Sequence, residues 1–118
     1  MNDLVAQYLA IWNTTDPVAR RAAIARVFTD RPAYVDPLMD LSGREAIDAG
    51  IAAVQSQFPG LVFRLAGPVD AHHEQARFRW ELGPADGAAV VVGFDVAVLD
   101  GGRIDRVYGF LDQVPAAA

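Results

Sequence analysis

The stretch VVVGFDVAVL, residues 90–99, is the most apolar in the chain and contains one charged residue, Asp95. Apolar residues occupy both alternating positions along it, so a strand formed here would have to be covered on both faces. Helices of the same chain can cover the first face. Because a chain of 118 residues has little left to cover the second, we expect a second copy to do so. The stretch therefore predicts a central strand and a homodimer that forms through the sheet.

Alternation with a period of two continues on both sides of this stretch and predicts an antiparallel sheet. The connections PADG, residues 84–87, and DGG, residues 100–102, have the Pro, Asp and Gly content of hairpin turns. The predicted strands are residues 61–69, 74–82, 88–99 and 103–111.

The first half of the chain has helical periodicity instead. Tyr8 and Trp12 share one apolar face of a predicted first helix over residues 3–13. Asp16 is placed to cap a second helix, with Pro17 at the first helical position. That helix should end before Asp30-Arg31-Pro32.

A short extended segment over residues 33–37 should follow the second helix. Ser42 and Glu45 have the spacing of a capping box and predict the start of a third helix, which ends at residues 58–60, Phe-Pro-Gly. The whole pattern predicts a single α+β domain, residues 1–118, with three helices packed on a curved, mainly antiparallel sheet. We expect residues 114–118 to form a frayed tail.

The composition excludes several classes of function. The chain has no cysteine and no lysine, and its ten basic residues are all arginine. Disulfides, thiolate nucleophiles, Cys-ligated zinc, Schiff-base lysines and P-loops are therefore excluded. Fifteen acidic residues give a net charge of −5, with scattered arginines, which argues against nucleic acid as a partner. No segment is long and apolar enough for a membrane span, so we expect a cytoplasmic protein. Any acid–base chemistry must come from Asp, Glu, His or Tyr.

Asp95 is the first candidate for such chemistry because an ionised carboxylate is costly inside an apolar strand. The usual response is a raised pKa, with the proton retained on the carboxyl group. A strongly shifted acid that faces a cavity is typical of functional sites. A structural alternative also exists, in which Asp95 binds backbone groups at a bulge or pairs with an arginine.

Asp36 and Tyr8 are the next candidates. Asp36 precedes Pro37, so a rigid backbone positions its side chain, although a strand-end aspartate that accepts a turn hydrogen bond is the common case. Tyr8 lies on the apolar face of the first helix, where simple core packing is the alternative role.

His72 and His73 are adjacent near a predicted strand start, so we expect their rings to point to opposite faces. A shared metal site is then disfavoured. His72 has the same parity as Phe78 and Trp80, so it could face a cavity.

Several short motifs together resemble the NTF2-like superfamily, and in particular its SnoaL-like and ketosteroid-isomerase-like small proteins. They are AQYLAIWN at residues 6–13, YVDP at 34–37, SGREAI at 42–47 and GGRIDRVYGFLD at 101–112. The resemblance covers residues 3–113. It implies a cone-shaped α+β barrel that is usually dimeric through the sheet and has an apolar pocket at its wide end.

The resemblance also implies a set of site residues. Ketosteroid isomerases use a tyrosine of the first helix, a general-base aspartate in a DP pair and a buried, neutral aspartic acid in an apolar strand. Tyr8, Asp36 and Asp95 match these three catalytic positions. We expect the pocket to be lined by Trp12, Phe63, His72, Phe78, Trp80, Val107 and Tyr108, to hold a small apolar carbonyl compound, and to need no metal or other cofactor.

Two other activities of the superfamily fit less well. Epoxide hydrolases of this fold have an arginine at the position of Gly93 and an aspartate where Gly109 lies, and SnoaL-type cyclases also use that last-strand aspartate. Two alternatives to isomerisation stay open. One is a non-catalytic ligand-binding or accessory protein in which Asp95 is structural, and the other is a cyclase or dehydratase that uses His72 with an aspartate.

Overall fold

Three helices lie against one seven-stranded sheet in the computed structural model, which describes residues 1–115. The helices are α1 (Asn2–Asn13), α2 (Pro17–Val27) and α3 (Arg44–Gln57). The strands are β1 (Phe28–Val35), β2 (Asp40–Ser42), β3 (Val62–Leu65), β4 (Asp70–His72), β5 (Gln75–Gly83), β6 (Val91–Asp100) and β7 (Arg103–Gln113). The predicted α+β class is confirmed. No helix within the described residues is both long and apolar enough to cross a membrane.

The sheet is mixed and unclosed. Its strand order is β2-β1-β7-β6-β5-β3, and β4 pairs with the free edge of β5. Every pairing is antiparallel except that of β1 with β7, which is parallel. The two outermost strands, β2 and β3, are short and do not pair with each other, so the barrel that the resemblance implied is an open, curved sheet.

The predicted central strand lies in the middle of this sheet, and its inner face meets the helices. Along β5, Ala76, Phe78 and Trp80 are buried while the intervening arginines are exposed, which is the alternation expected of a strand with one covered face. The core consists of these inner residues together with the apolar faces of the three helices.

The end of α1 is fastened to β3 by one side chain. The Asn13 amide donates to the carbonyl oxygen of Phe63 (2.9 Å) and accepts from the N–H of the same residue (2.8 Å). The preceding residue, Trp12, is thereby held against the Phe63 ring, with centroids 5.2 Å apart. This contact fixes one corner of the cavity described below.

Local structure near the second helix is partly as predicted. Asp16 caps α2, since its side chain accepts a hydrogen bond from the N–H of Ala19 (2.8 Å). The second helix ends before Asp30 as predicted, at Val27, but the extended segment predicted to begin at residue 33 begins earlier, because β1 starts at Phe28 and runs through Asp30-Arg31-Pro32. Pro32 is tolerated there because the pairing of β1 with β7 shifts register between Phe28 and Ala33.

Two further local predictions are wrong. Ser42 ends β2 instead of capping α3, and the N-cap is Gly43, whose φ of 92° is readily adopted only by glycine. The single strand predicted over residues 61–69 is interrupted at Gly67, which has a φ of 124°, and pairing resumes in the separate strand β4. Of the tail predicted to fray, residues 116–118 lie outside the described residues.

Candidate active site

A cavity of about 530 Å³ opens between the helices and the inner face of the sheet. The residues that line it come from α1, α3, β1, β3, β5, β6 and the end of β7, and from the turn after β1. Most of these residues are apolar, and the two acidic ones are Asp36 and Asp95. Two of the three side chains predicted to be catalytic therefore face the same space.

Three of the seven residues predicted to line the cavity do so, namely Trp12, Phe63 and Trp80. Phe78 points inward but packs against the ring of Tyr8, with centroids 5.7 Å apart, and so belongs to the core.

Val107 and Tyr108 cannot both face the cavity, because neighbouring residues of a strand point to opposite sides. Val107 is buried in the core, away from the cavity. Tyr108 is on the outer face of the sheet and is 41% exposed. The prediction that Val107 and Tyr108 line the cavity is therefore wrong for both residues.

His72 also lies outside the cavity, at the exposed hairpin between β4 and β5. The prediction that the two histidine rings point apart is wrong. His73 has a φ of 52°, which turns the chain and brings its Nδ1 within 3.0 Å of the Nδ1 of His72. Among the described residues, no group of three His, Asp or Glu side chains could hold a metal ion.

Asp36 is held rigidly at the edge of the cavity. Its Oδ1 accepts from the N–H groups of Leu38 (2.8 Å) and Met39 (2.9 Å), in the turn that Pro37 starts. Its Oδ2 accepts a hydrogen bond of 2.6 Å from the hydroxyl of Tyr34. The carboxylate is thus fixed in orientation by three donors while one side of the residue faces the cavity.

Asp95 is 2% exposed on the inner face of β6. The Tyr8 hydroxyl donates to its Oδ2 (3.2 Å), whereas Oδ1 has no hydrogen-bond partner among the described residues. Burial raises the pKa of Asp95 from 3.8 to about 7; the Trp80 indole and the Tyr8 hydroxyl lower that pKa, and the charge of Asp36 adds to the increase. At neutral pH the group therefore exchanges readily between acid and carboxylate.

Tyr8 lies behind Asp95, outside the residues that line the cavity. Its ring is enclosed by those of Trp12, Phe28 and Phe78, with centroid distances of 5.7–6.4 Å. Burial, followed by the charge of Asp95, raises the pKa of the Tyr8 hydroxyl well above its ordinary value. The hydroxyl is therefore a permanent donor to Asp95, which differs from the direct contact with a ligand that the resemblance implied.

Tyr34 is a site residue that the sequence analysis missed. It lines the cavity and binds Asp36, and its pKa is raised far above the ordinary value by burial, by the charge of Asp95 and by the hydrogen bond to Asp36. The available signal was its position two residues before Asp36, because residues i and i+2 of an extended segment share a face.

Gly109 is the second missed residue, and it brings the acids together. It pairs in register with Asp95 across β6 and β7. A methyl group placed on its Cα would lie 3.0 Å from Oδ1 of Asp95, 3.1 Å from Cβ of Asp36 and 3.5 Å from the Tyr34 hydroxyl. Because Gly109 has no side chain, Asp95, Asp36 and the Tyr34 hydroxyl can lie around one point.

Gly93 has a related role on β6. It pairs with Trp80, and a side chain at Gly93 would overlap the indole ring, which lies directly over its Cα. The place that an arginine would occupy in an epoxide-hydrolase site is therefore filled by Trp80, which forms part of the cavity wall.

Comparison with known proteins shows which family this sequence resembles. The family model of the SnoaL-like domain matches residues 5–107. A protein from Agrobacterium tumefaciens strain C58, provisionally described as an isomerase of the SnoaL-like family, is 43% identical to this chain, with a TM-score of 0.88 over 93% of this chain and 95% of that one.

More distant solved structures share the fold. A provisionally assigned ketosteroid isomerase from Kribbella flavida is 17% identical, with a TM-score of 0.70 over 98% of this chain and 80% of that one. A provisionally assigned polyketide cyclase from Sinorhizobium meliloti is 18% identical, with a TM-score of 0.71 over 91% of this chain and 93% of that one. The search of curated proteins found no match.

The fold and the cavity define a small α+β protein of the NTF2-like type. The chain belongs to the SnoaL-like family.

Proposed function

We propose that the protein is a ketosteroid-isomerase-like enzyme that moves a proton between carbons next to the carbonyl group of a small apolar compound. The observation that carries this proposal is the pair of carboxyl groups around Gly109. One of them, Asp95, has a pKa raised to about 7, while Asp36 is held in orientation by three hydrogen-bond donors. An acid and a base with different environments are what such a reaction needs.

In this mechanism Asp36 is the general base. It removes a proton from the carbon beside the carbonyl group and delivers a proton to the carbon two bonds further along, with exchange against solvent while the proton is on Asp36, so no cofactor is consumed. Tyr34 would keep the carboxylate in position through its 2.6 Å hydrogen bond. The intermediate between the two transfers is an enolate, whose negative charge accumulates on the oxygen.

Protonated Asp95 would stabilise that oxygen. Because Oδ2 already accepts from Tyr8, the proton of the neutral acid belongs on Oδ1, the oxygen with no partner in the described part of the chain. Asp95 would donate this proton into a hydrogen bond with the enolate and keep it throughout the reaction. Tyr8 is then a positioning residue that acts through Asp95.

The direct test is isomerisation of a β,γ-unsaturated ketone, followed by the ultraviolet absorbance of the conjugated product and by deuterium uptake from solvent. The wild-type protein is expected to accelerate both, because one proton transfer underlies them. Absence of acceleration, or equal rates with wild type and Asp36→Asn, would contradict the proposal.

Gly109→Ala should lower this activity by about tenfold to a hundredfold, because a methyl group would occupy space between the two acids. The methyl contacts of 3.0 and 3.1 Å are tight, but the strand can adjust by a few tenths of an ångström, so the protein should still fold. Steady-state kinetics give the activity, and urea unfolding checks the fold. Gly87→Ala, in the exposed turn between β5 and β6, is the matched control, because its added methyl group would lie 3.2 Å from Pro84 and Gly87 is not among the residues that line the cavity. Unchanged kinetics in Gly109→Ala would place the reacting atoms elsewhere.

A non-catalytic ligand-binding protein is the second candidate. It is favoured by the saturation of the Asp36 carboxylate, whose two oxygens already accept three hydrogen bonds from the protein. A cyclase or dehydratase based on His72 has less support, because that residue lies on the exposed β4–β5 hairpin. Tight ligand binding without proton exchange would favour the non-catalytic ligand-binding protein.

We also propose that the protein is a homodimer through the outer face of the sheet. Phe94 and Val96 of β6 are only partly buried, and Phe110 and Tyr108 of β7, which pair with them in register, are 56% and 41% exposed. Four large apolar groups in one exposed patch are typical of an interface.

Sedimentation at micromolar concentration should therefore give twice the chain mass of 12.7 kDa. Phe110→Asp should give the monomer, because the interface would bury a new charge from each copy without a partner for it. Phe110→Leu is the matched control and should stay dimeric. A wild-type monomer would rule out the dimer.

A further inference from the structure

The wall of the cavity contains a row of aromatic rings. Neighbouring rings lie at similar distances, with centroids 5.5 Å apart for Trp12 and Tyr34, 5.2 Å for Trp12 and Phe63, and 5.3 Å for Phe63 and Trp80. All four residues line the cavity. Aromatic faces carry partial negative charge and attract cations, most strongly where water is excluded.

The charge of the same wall is also negative. Asp36 and Asp95 line the cavity, and among the described lining residues there is no arginine or histidine to neutralise them. Arg20 and Arg64 lie outside the cavity and pair with Asp48 and Glu81. An anionic ligand would therefore meet repulsion in this cavity without any compensating group.

Asp95 adds a feature that an ordinary acidic cluster lacks. It is 2% exposed, and its Oδ1 has no hydrogen-bond partner among the described residues although the residue lines the cavity. A buried acceptor without a partner is costly, and the cost disappears when a ligand supplies the missing interaction. A positive group supplies it when Asp95 is ionised.

We infer that the cavity takes a ligand with an organic ammonium group, seated against the aromatic row beside Asp36. The remainder of the ligand is apolar, because the rest of the wall consists of residues such as Leu9, Leu82 and Val91. The assignment goes beyond the proposed isomerisation and does not depend on it. If the ligand is also the substrate, it is an amino ketone.

The binding should depend on pH through Asp95. The titratable groups that face it are Tyr8 from α1, Tyr34 from β1 and Asp36 from the turn after β1, while β5 and β7 contribute Trp80 and Gly109, which do not titrate. Both tyrosines have raised pKa values and stay neutral near pH 7. A cation with a fixed charge should bind more tightly as Asp95 ionises around its pKa of about 7, whereas an anionic enolate mimic such as a phenolate should bind more weakly.

The test compares three probes of similar shape, namely phenyltrimethylammonium, its neutral isostere tert-butylbenzene, and benzenesulfonate. Fluorescence reports directly on the site, because the only two tryptophans of the chain, Trp12 and Trp80, both line the cavity. Phenyltrimethylammonium should bind at least about tenfold more tightly than tert-butylbenzene, and benzenesulfonate should bind more weakly than either.

The variants separate charge from shape. Asp36→Asn should remove most of the preference for the cation, since it keeps the side-chain volume and loses the charge. Asp100→Asn, at the exposed end of β6, should not change the preference. In Asp95→Asn the rise in affinity between about pH 6 and about pH 8 should be absent, because the titrating group is gone.

Equal binding of the cation and its neutral isostere, or tighter binding of benzenesulfonate, would overturn the inference. So would the absence of cation binding at millimolar concentration in a protein that unfolds cooperatively in urea. A failure of ketone isomerisation would leave the binding result intact, because the probes carry no carbonyl group.

Discussion

Asp36→Asn is expected to slow ketone isomerisation by about 10²–10⁴-fold, the usual contribution of a general base. An amide oxygen can still accept from the N–H groups of Leu38 and Met39, so the turn should persist and the cavity should keep its shape. The amide cannot remove a proton from carbon. The loss should therefore appear in kcat with little change in KM, which steady-state kinetics separate.

Asp100→Asn is the matched control for this measurement, because it removes one negative charge from an exposed strand end. Its kinetics should equal those of wild type. A change in KM alone for Asp36→Asn would mean that Asp36 only binds the ligand. Equal kcat values would show that another group, or no group of this protein, moves the proton.

The sheet and the helices could be predicted from the sequence because their signals are local. The apolar residues on both sides of β6 and the alternation along β5 follow directly from the two-residue period of a strand. The start of β1 and the interruption of the strand predicted over residues 61–69 were missed because long-range pairing decides them. Pro32 lies in a strand because β1 and β7 pair in parallel and the register of this pairing shifts between Phe28 and Ala33.

The site could be predicted only in part, for the same reason. Asp95 stands out in the sequence because a charge in an apolar strand is a local anomaly. Gly109 has no such signal, since its role depends on pairing opposite Asp95. His72 was misplaced because a single left-handed residue, His73, changes where the strand ends. Tyr8 was a candidate from its position on the apolar face of α1, and the resemblance supported it, but the direction of its hydroxyl towards Asp95 is a detail of packing.

Asp95→Asn should stabilise the protein at about pH 8 and have little effect at about pH 4. The native pKa of Asp95 is about 7, whereas the ordinary value of 3.8 applies to the unfolded chain. Between these values the native state holds a proton that the unfolded state has lost, so the free energy of unfolding falls as the pH rises through this window. The total loss is roughly 4 kcal/mol at 1.36 kcal/mol per pKa unit.

Asparagine avoids this loss because it does not ionise, and its amide oxygen can accept from Tyr8 as the carboxyl group does. Urea unfolding of wild type and Asp95→Asn at both pH values measures the difference, with Asp100→Asn as the control that should follow wild type. An equal effect at both pH values, or an NMR titration of the Asp95 carboxyl carbon with a midpoint near 3.8, would contradict the raised pKa. If the stabilisation is found, the Asp95 carboxyl group lowers the stability of the protein at neutral pH, although asparagine would fit at the same position without that loss. The carboxyl group can take two forms that asparagine cannot: the proposed reaction uses its protonated form, and the proposed cation binding uses its ionised form.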